Sequence, residues 1–454
     1  MALTSNANWG LLLAEHAGLG QKLLRLAVIS LMSISIVPPV VHLGEEFWLK
    51  LDYLLLPVVA LIYLCLLLAG LASPIRLNPM FAVAFAFSVC ILSSLAYGTE
   101  VLGHPLLARN FFELAKPWFP AIFFTLAYEA DFSEESLRTL GKSLFPATLL
   151  ICLYAYGQWF NMGFTQYLDP YYSGGLHDEG GLAHYRRVYS TLSNPNTLGI
   201  FMTWVIGAFS LRALLGIGNR FLNMVLLFAC LATLAMTGSR YGLIDTFLVF
   251  LLILRLPAPT ETSEKKRRRI LLVSLPLVVG VVLVVSASNR ATLDRFQMLQ
   301  TPLHEKSLRT RLDVLWKDAI EQFLQSPVLG HGPARDIFTN VFTDSEYLQI
   351  LKQYGLVGLV PYLCFFLVPL RMIYKGLKSV DRAGPWLEQN CTATYWALCL
   401  SFVMTVIALV MNIGMGTYYD SSLVAFLWIW MGIGAGVAAR ITRALRTAPE
   451  LLHG

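Results

Sequence analysis

Charged residues are scarce in this chain, 14% of 454 positions, against about 25% in an ordinary soluble domain. No polar stretch is long enough to be a soluble catalytic domain, although the length alone would allow about three. Cysteines number seven and lie in or beside apolar runs, so neither a disulfide framework nor a metal-ligand spacing emerges. A P-loop, a dinucleotide fingerprint and an HExxH helix are missing too, so no cofactor and no metal are expected. No small-residue cleavage site follows the first apolar run near Leu23, which therefore reads as a span and not as a signal peptide. What the chain has instead is apolar surface: 56% hydrophobic residues and a mean hydropathy of +0.61. That implies an all-α integral membrane protein. The net charge of +6 reads as topology first and ligand second, with no call for nucleic acid.

A helix crosses a bilayer with about 20 apolar residues. Such runs occur at 23–43, 53–72, 79–97, 111–129, 143–160, 195–215, 221–238, 240–256, 270–287, 347–370, 393–415 and 422–438, which predicts twelve spans. Pro38 and Pro39 predict a kink in the first, and the fourth carries Glu113 and Lys116. The KKRRR cluster at 265–269 is placed in the cytoplasm, which puts both termini there. The chain then divides into residues 1–287 with nine spans, a large periplasmic loop at 288–346, and residues 347–454 with three spans and a cytoplasmic tail. A second outer loop, 161–194, is rich in Gly, Tyr and His, and 257–269 reads as a flexible linker. Within the large loop Leu308, Leu312, Leu315, Trp316, Ala319, Ile320, Phe323 and Leu324 follow helical spacing. That predicts an amphipathic helix on the membrane surface or over a cavity, ended by Pro327 and Gly330.

The arginines on the outer side run against the usual topological preference. Arg290, Arg295, Lys306, Arg309, Arg311, Lys317 and Arg335 lie in the large loop, Arg186 and Arg187 in the other, and Arg240 at the outer end of the eighth span. An anionic ligand would compensate for them, since guanidinium forks bind phosphate oxygens bidentately. The alternative is ordinary: helix-end arginines reach for lipid head groups and loop arginines pair with carboxylates. Arg240 sits between two apolar runs, where an unpaired charge costs a few kcal/mol, and that favours function. His177, Asp178, Glu179 and His184 form a polar cluster that matches no standard metal spacing.

Three motifs stand in order: RRVYSTLSNPNTLGIFM at 186–202, TGSRYGLI at 237–244, and RTRLDVLWKDAIEQFLQSPVLGHGP at 309–333 followed by DSEYLQILKQYGLVGL at 344–359. The asparagines of the first, and Asp344 of the last, equally suit plain helix caps. Together the motifs resemble the O-antigen ligase/polymerase superfamily of bacterial membrane glycosyltransferases, over roughly 186–360. Lipid A-core ligases of that family usually carry His-Asn before the Tyr-Leu, whereas this chain has Asp344-Ser345, which looks more like the Wzy-type polymerases.

The resemblance implies a GT-C-like fold in the bacterial inner membrane. It implies a donor and an acceptor that are glycans on undecaprenyl pyrophosphate, and a polysaccharide co-polymerase as a chain-length regulator. The reaction would be attack of a sugar hydroxyl on an anomeric carbon, with pyrophosphate leaving. Such chemistry needs fixed cations at the leaving group and a base at the hydroxyl. The expected cations are Arg187, Arg240 and Arg311, with Arg309 in reserve. The expected base is Asp344, with Glu346 second, and Asn196, Tyr241 and His331 are expected to contact substrate. Two rivals remain: a ligase delivering the glycan to lipid A-core, and a polytopic transporter or flippase. The latter should show charged or broken helices near the midplane and repeated halves, whereas here the charges gather at one surface and the halves do not repeat.

Overall fold

The computed structural model describes residues 19–36, 40–42, 48–50, scattered positions of 58–68, 78–172, 187–192, 194–256, 309–333, 343–383, 391–415 and 421–447, with Lys265 and Gly280. The span expected at 270–287, most of that at 53–72 and the 257–269 linker lie outside these residues. So do Arg186, Arg290, Arg295, Lys306, Arg335 and the 177–184 polar cluster.

The described chain is helical apart from one short antiparallel pair, β1 (Val40–His42) with β2 (Trp48–Lys50). The helices are α1 (Leu19–Ile36), α2 (Pro79–Glu100), α3 (Ala108–Ala115), α4 (Trp118–Glu129), α5 (Glu134–Trp159), α6 (Gly163–Tyr172), α7 (Pro195–Leu215), α8 (Arg220–Thr237) and α9 (Arg240–Arg255). After them come α10 (Lys317–Gln325), α11 (Glu346–Ala383), α12 (Thr392–Met411) and α13 (Ser421–Thr447). Among the described residues, seven helices are long and apolar enough to cross a membrane: α2, α5, α7, α8, α11, α12 and α13. The protein is a multi-pass membrane protein.

Three expected spans take a different form. The first ends at Ile36, and the chain forms β1 four residues on; Pro38 and Pro39 supply no N–H to continue the helix. The fourth is split into α3 and α4 around Lys116 and Pro117, where proline again ends the ladder. The eighth, α9, is 16 residues long.

The core sits around α7. Nineteen of its residues are buried, as suits a helix apolar on every side. It packs against α8, α9 and α12, while α13 packs against α4, α11 and α12. Alpha-2 is peripheral and leaves Phe85, Val89 and Leu92 exposed, which suits contact with lipid.

One crossing sets the geometry of the functional end. A Cβ on Gly242 of α9 would meet the Gly199 backbone of α7 at 3.2 Å. Two glycines thus bring the helices into close approach. Thr203 Oγ1 bridges that crossing, donating to the Gly242 carbonyl at 3.0 Å and lying 3.1 Å from Thr246 Oγ1 in a hydroxyl–hydroxyl hydrogen bond.

A second constraint lies in α11, whose helical path is interrupted at Gly355 (φ 62°, ψ −164°). The backbone groups released there are met by the segment that follows α10. His331 N donates to Lys352 O at 3.0 Å and Gly332 N to Gln353 O at 2.8 Å. In the other direction, Leu356 N donates to Pro327 O at 2.9 Å and Val357 N to Val328 O at 3.2 Å. Ser94 of α2 joins them, its hydroxyl 2.7 Å from Gln353 O. The SPVLGHG sequence is therefore a splint for a broken membrane helix. Where water is absent, such backbone groups need partners.

The φ/ψ pair at Gly355 belongs almost only to glycine, and a Cβ there would land on the Val328 carbonyl. Gly355→Ala is therefore expected to cost more than about 3 kcal/mol, from strain plus collision. Gly103→Ala is the control: its φ is also positive, +71°, but nothing lies within 4 Å of the added Cβ. Its cost should stay near 1–2 kcal/mol. Melting temperatures of the two variants in detergent check this; equal shifts would refute the splint.

Candidate functional site

Three helix termini meet at one end of the bundle. Alpha-7 begins with Asn194 as its cap, whose side chain accepts from Asn196 N at 2.8 Å, and with Pro195 in the first turn. Pro195 suits that place because its missing N–H would have no intrahelical partner there. Alpha-8 ends at Gly238, in the left-handed region at φ 59°. Alpha-9 begins after Ser239, whose hydroxyl accepts from Gly242 N at 3.2 Å. The asparagine cap and the NPN motif are thus a real helix start, and the TGSR motif is a C-cap followed at once by an N-cap.

Arg187 is held at this junction. Its Nε donates to Thr237 O and its Nη2 to Asn196 Oδ1, each at 2.7 Å. Asn196 therefore orients an arginine. Arg240 is the first residue of α9 and half-buried. A cation at a helix N-terminus opposes the positive end of the helix dipole, so Arg240 is placed against the local electrostatic preference.

The large loop arrives from the other side. Residues Thr310–Trp316 wind as a π-helix and continue into α10. This winding shifts the phase of the expected amphipathic stripe. Ala319 and Gln322 are buried, while Leu312, Ile320 and Leu324 are exposed. The 308–324 stretch thus buries a narrower face than the spacing predicts. Alpha-10 is fastened to α11 through Asp318: Gln322 Nε2 donates to both its oxygens, at 3.0 and 3.1 Å, and Lys352 Nζ lies 3.6 Å from Oδ2.

Arg311 and Asp344 form an ion pair through Arg311 Nε and Asp344 Oδ2, each side chain about one-fifth exposed. Trp316 Nε1 donates to the other carboxylate oxygen at 3.0 Å. Arg311 Nη1 donates to the Tyr241 hydroxyl at 3.1 Å, and its guanidinium carbon sits 5.1 Å from that ring's centroid. The Tyr241 phenol also lies within electrostatic reach of Arg240. Behind it, a Cβ on Gly414, just past α12, would strike the tyrosine ring. Tyr241 is thus clamped between a guanidinium and a glycine, joining the α9 arginine to the loop arginine.

The expected residues now divide. Arg187, Asn196, Arg240, Tyr241, Arg311 and Asp344 share one end of the bundle. Arg309, ahead of the π-helical turn, is exposed. His331 is a correction: it is 5% exposed, its Nε2 within 2.8 Å of Gln322 O. It packs beneath α10 and does not face an incoming substrate. Its ring lies 5.8 Å from that of His104, and burial, with His331 beside it, holds His104 below the ordinary imidazole value.

Glu346 is also a correction. It is 1% exposed, its backbone N–H donating to Asn412 O at 3.0 Å, so it is a poor second base. The capping role weighed for Asp344 falls to Ser345, whose hydroxyl stands 3.5 Å from Leu348 N. Trp316, one of the residues of the expected amphipathic stripe, holds Asp344.

Asp245 was not among the expected residues. It lies one helical turn beyond Tyr241 and is 2% exposed, and its Oδ2 meets no hydrogen-bond donor among the described residues. A single acidic residue inside an apolar run is the signal that could have marked it.

Residues 225–363 match a family model described as O-antigen ligase. The match runs from α8 into α11 and contains Arg240, Tyr241, Arg311, Trp316 and Asp344; Arg187 and Asn196 lie ahead of it. It supports the O-antigen ligase/polymerase superfamily that the motifs resemble, and with it a glycan-transferring enzyme of that general kind. A comparison with curated proteins gives no match.

The Trp316–Asp344 bond can be measured on its own. A double-mutant cycle of Trp316→Phe and Asp344→Asn should give a coupling of about 1–2 kcal/mol, as for a hydrogen bond to a partly exposed charged group. Additivity within about 0.5 kcal/mol in detergent unfolding would show that the bond contributes nothing.

Proposed function

We propose that this member of the O-antigen ligase/polymerase superfamily polymerises oligosaccharide repeat units carried on undecaprenyl pyrophosphate, at the periplasmic face of the bacterial inner membrane. The observation that carries the reading is the gathering of Arg187, Arg240 and Arg311 at one end of a membrane bundle, with Asp344 presented among them. Asp344-Ser345 in place of His-Asn favours polymerisation over transfer to lipid A-core. The family description of an O-antigen ligase keeps the ligase as the second reading.

The residues divide the chemistry as follows. The hydroxyl of one lipid-linked unit attacks the anomeric carbon of another. The new C–O bond forms as the bond from that carbon to the diphosphate oxygen breaks, and undecaprenyl pyrophosphate leaves. The hydroxyl proton goes to Asp344. The leaving group gains negative charge, and fixed guanidinium groups meet it without having to reorganise. Arg187 and Arg240 are set by helix ends, and Tyr241 steers Arg311.

Both oxygens of Asp344 are engaged by Arg311 and Trp316. Arrival of the diphosphate would draw Arg311 onto phosphate oxygens and release Oδ2 to accept the proton. The donor is already activated, so the scheme needs no nucleotide and no cofactor. A chain-length regulator in the same membrane is part of the proposal.

The test is genetic and chemical. A deletion strain is complemented with wild type, Arg240→Ala, Arg311→Ala or Asp344→Ala, and its surface polysaccharide is run on a gel. Each variant should reach the membrane at the wild-type level and lose about a hundredfold or more of its long chains, the scale of removing one charge-stabilising group. Single repeat units should remain on the acceptor. Long chains held on the lipid carrier but never delivered would mean a ligase, and unchanged glycans in every strain would mean a transporter.

A further inference from the structure

A second polar cluster lies at the same end of the bundle and has no part in the scheme above. Asp169, on α6, accepts on Oδ1 from the Tyr154 phenol at 2.9 Å and from Gln158 Nε2 at 3.2 Å. The Tyr189 phenol lies within electrostatic reach of the same carboxylate. Burial first, and that carboxylate second, push the Tyr189 phenol above its ordinary value, so it stays a donor. Tyr172, three residues on from Asp169, sets its ring 5.6 Å from that of Tyr154 at 58°. Tyr154 and Tyr189 are buried, while Asp169 and Tyr172 are half-buried. Among the described residues no lysine or arginine pairs with Asp169.

The cluster is wired to the arginines. Gln158 donates to Asp169 with its nitrogen, and with Oε1 it accepts from Tyr189 N at 3.2 Å and Ser190 N at 2.8 Å. Tyr189 is two residues from Arg187, so at most roughly 7 Å of backbone separates them. That is about the reach of one sugar residue. Alpha-6 also leaves Phe164, Tyr167 and Leu168 exposed, which suits the membrane interface. A helix lying at that interface would hold the carboxylate near the membrane surface.

A carboxylate has about four acceptor positions, and two neutral donors leave room for more. The negative charge repels phosphate and accepts from hydroxyls. The half-buried ring beside it offers a flat, electron-rich face to the C–H side of a pyranose. We propose that Asp169 and Tyr172 form a sugar-binding subsite, which holds the glycan residue adjoining the diphosphate by its hydroxyls and its apolar face. The assignment rests on the arginine cluster being the diphosphate site.

The test uses the full-length protein in detergent and two probes, inorganic pyrophosphate and the oligosaccharide repeat unit released from the host's own surface polysaccharide. Titration calorimetry is run on wild type, Asp169→Asn, Tyr172→Leu and Arg240→Ala. Asp169→Asn keeps an acceptor for Tyr154, and Tyr172→Leu leaves the donors of Asp169 in place, so at least one variant should fold. Both are expected to weaken the oligosaccharide about tenfold and to leave pyrophosphate unchanged. Arg240→Ala should do the reverse. Wild-type affinity for the oligosaccharide in both subsite variants, or no binding of it by wild type, would overturn the subsite. If wild type takes the oligosaccharide and not pyrophosphate, while the subsite variants still lose it, the subsite stands and the diphosphate reading falls.

Discussion

The backbone of a membrane helix has no water to turn to, so any break in it must be repaired by protein. The break at Gly355 in α11 is the constraint around which much of the functional end is arranged. Four backbone hydrogen bonds from the 327–332 segment and the Ser94 hydroxyl satisfy the released groups. The same segment follows α10 directly, so the repair fixes where the amphipathic part of the large loop lies. Alpha-10 in turn continues the π-helical turn that carries Arg311 and Trp316. The position of Asp344, just ahead of α11, and that of its two partners are therefore set by one piece of backbone chemistry.

The opposite end of the bundle is closed by charge. Arg440 pairs with Asp131 at 2.8 Å and also reaches the Phe132 carbonyl. Arg25 donates to Ala130 O at 3.0 Å and to Ser136 Oγ at 2.8 Å. Glu134 accepts from Ala393 N and Thr394 N at the start of α12, at 2.9 and 2.8 Å. A carboxylate at a helix N-terminus is favoured by the dipole. These charges are matched within the fold, and Arg240 at the other end begins its helix against the dipole.

Much of this was legible in the sequence. The apolar runs located the seven long apolar helices among the described residues, Pro38 and Pro39 marked an irregularity in the first span, and Glu113 and Lys116 marked the fourth as atypical, whereas the short helix α6 lies in a stretch that reads as loop. Asn194 and Pro195 announced a helix start, and the structure has one there. These are local signals: hydropathy, capping chemistry and charge act within a few residues, and composition reports them directly.

The sequence by itself therefore determined a helical membrane protein, the order of its motifs and the type of charge at its functional end. Tertiary structure alone decided which partners those residues meet. Trp316 binds Asp344 across 28 positions and Arg311 binds Tyr241 across 70; no spacing rule spans such distances. The same holds for His331 and Glu346, which carry chemistry in the sequence and are buried by packing. The GLVGL run hid the break in α11 because glycine suits both a membrane helix and a left-handed turn. Only the splint from a distant segment, which repairs the lost hydrogen bonds, selects the second.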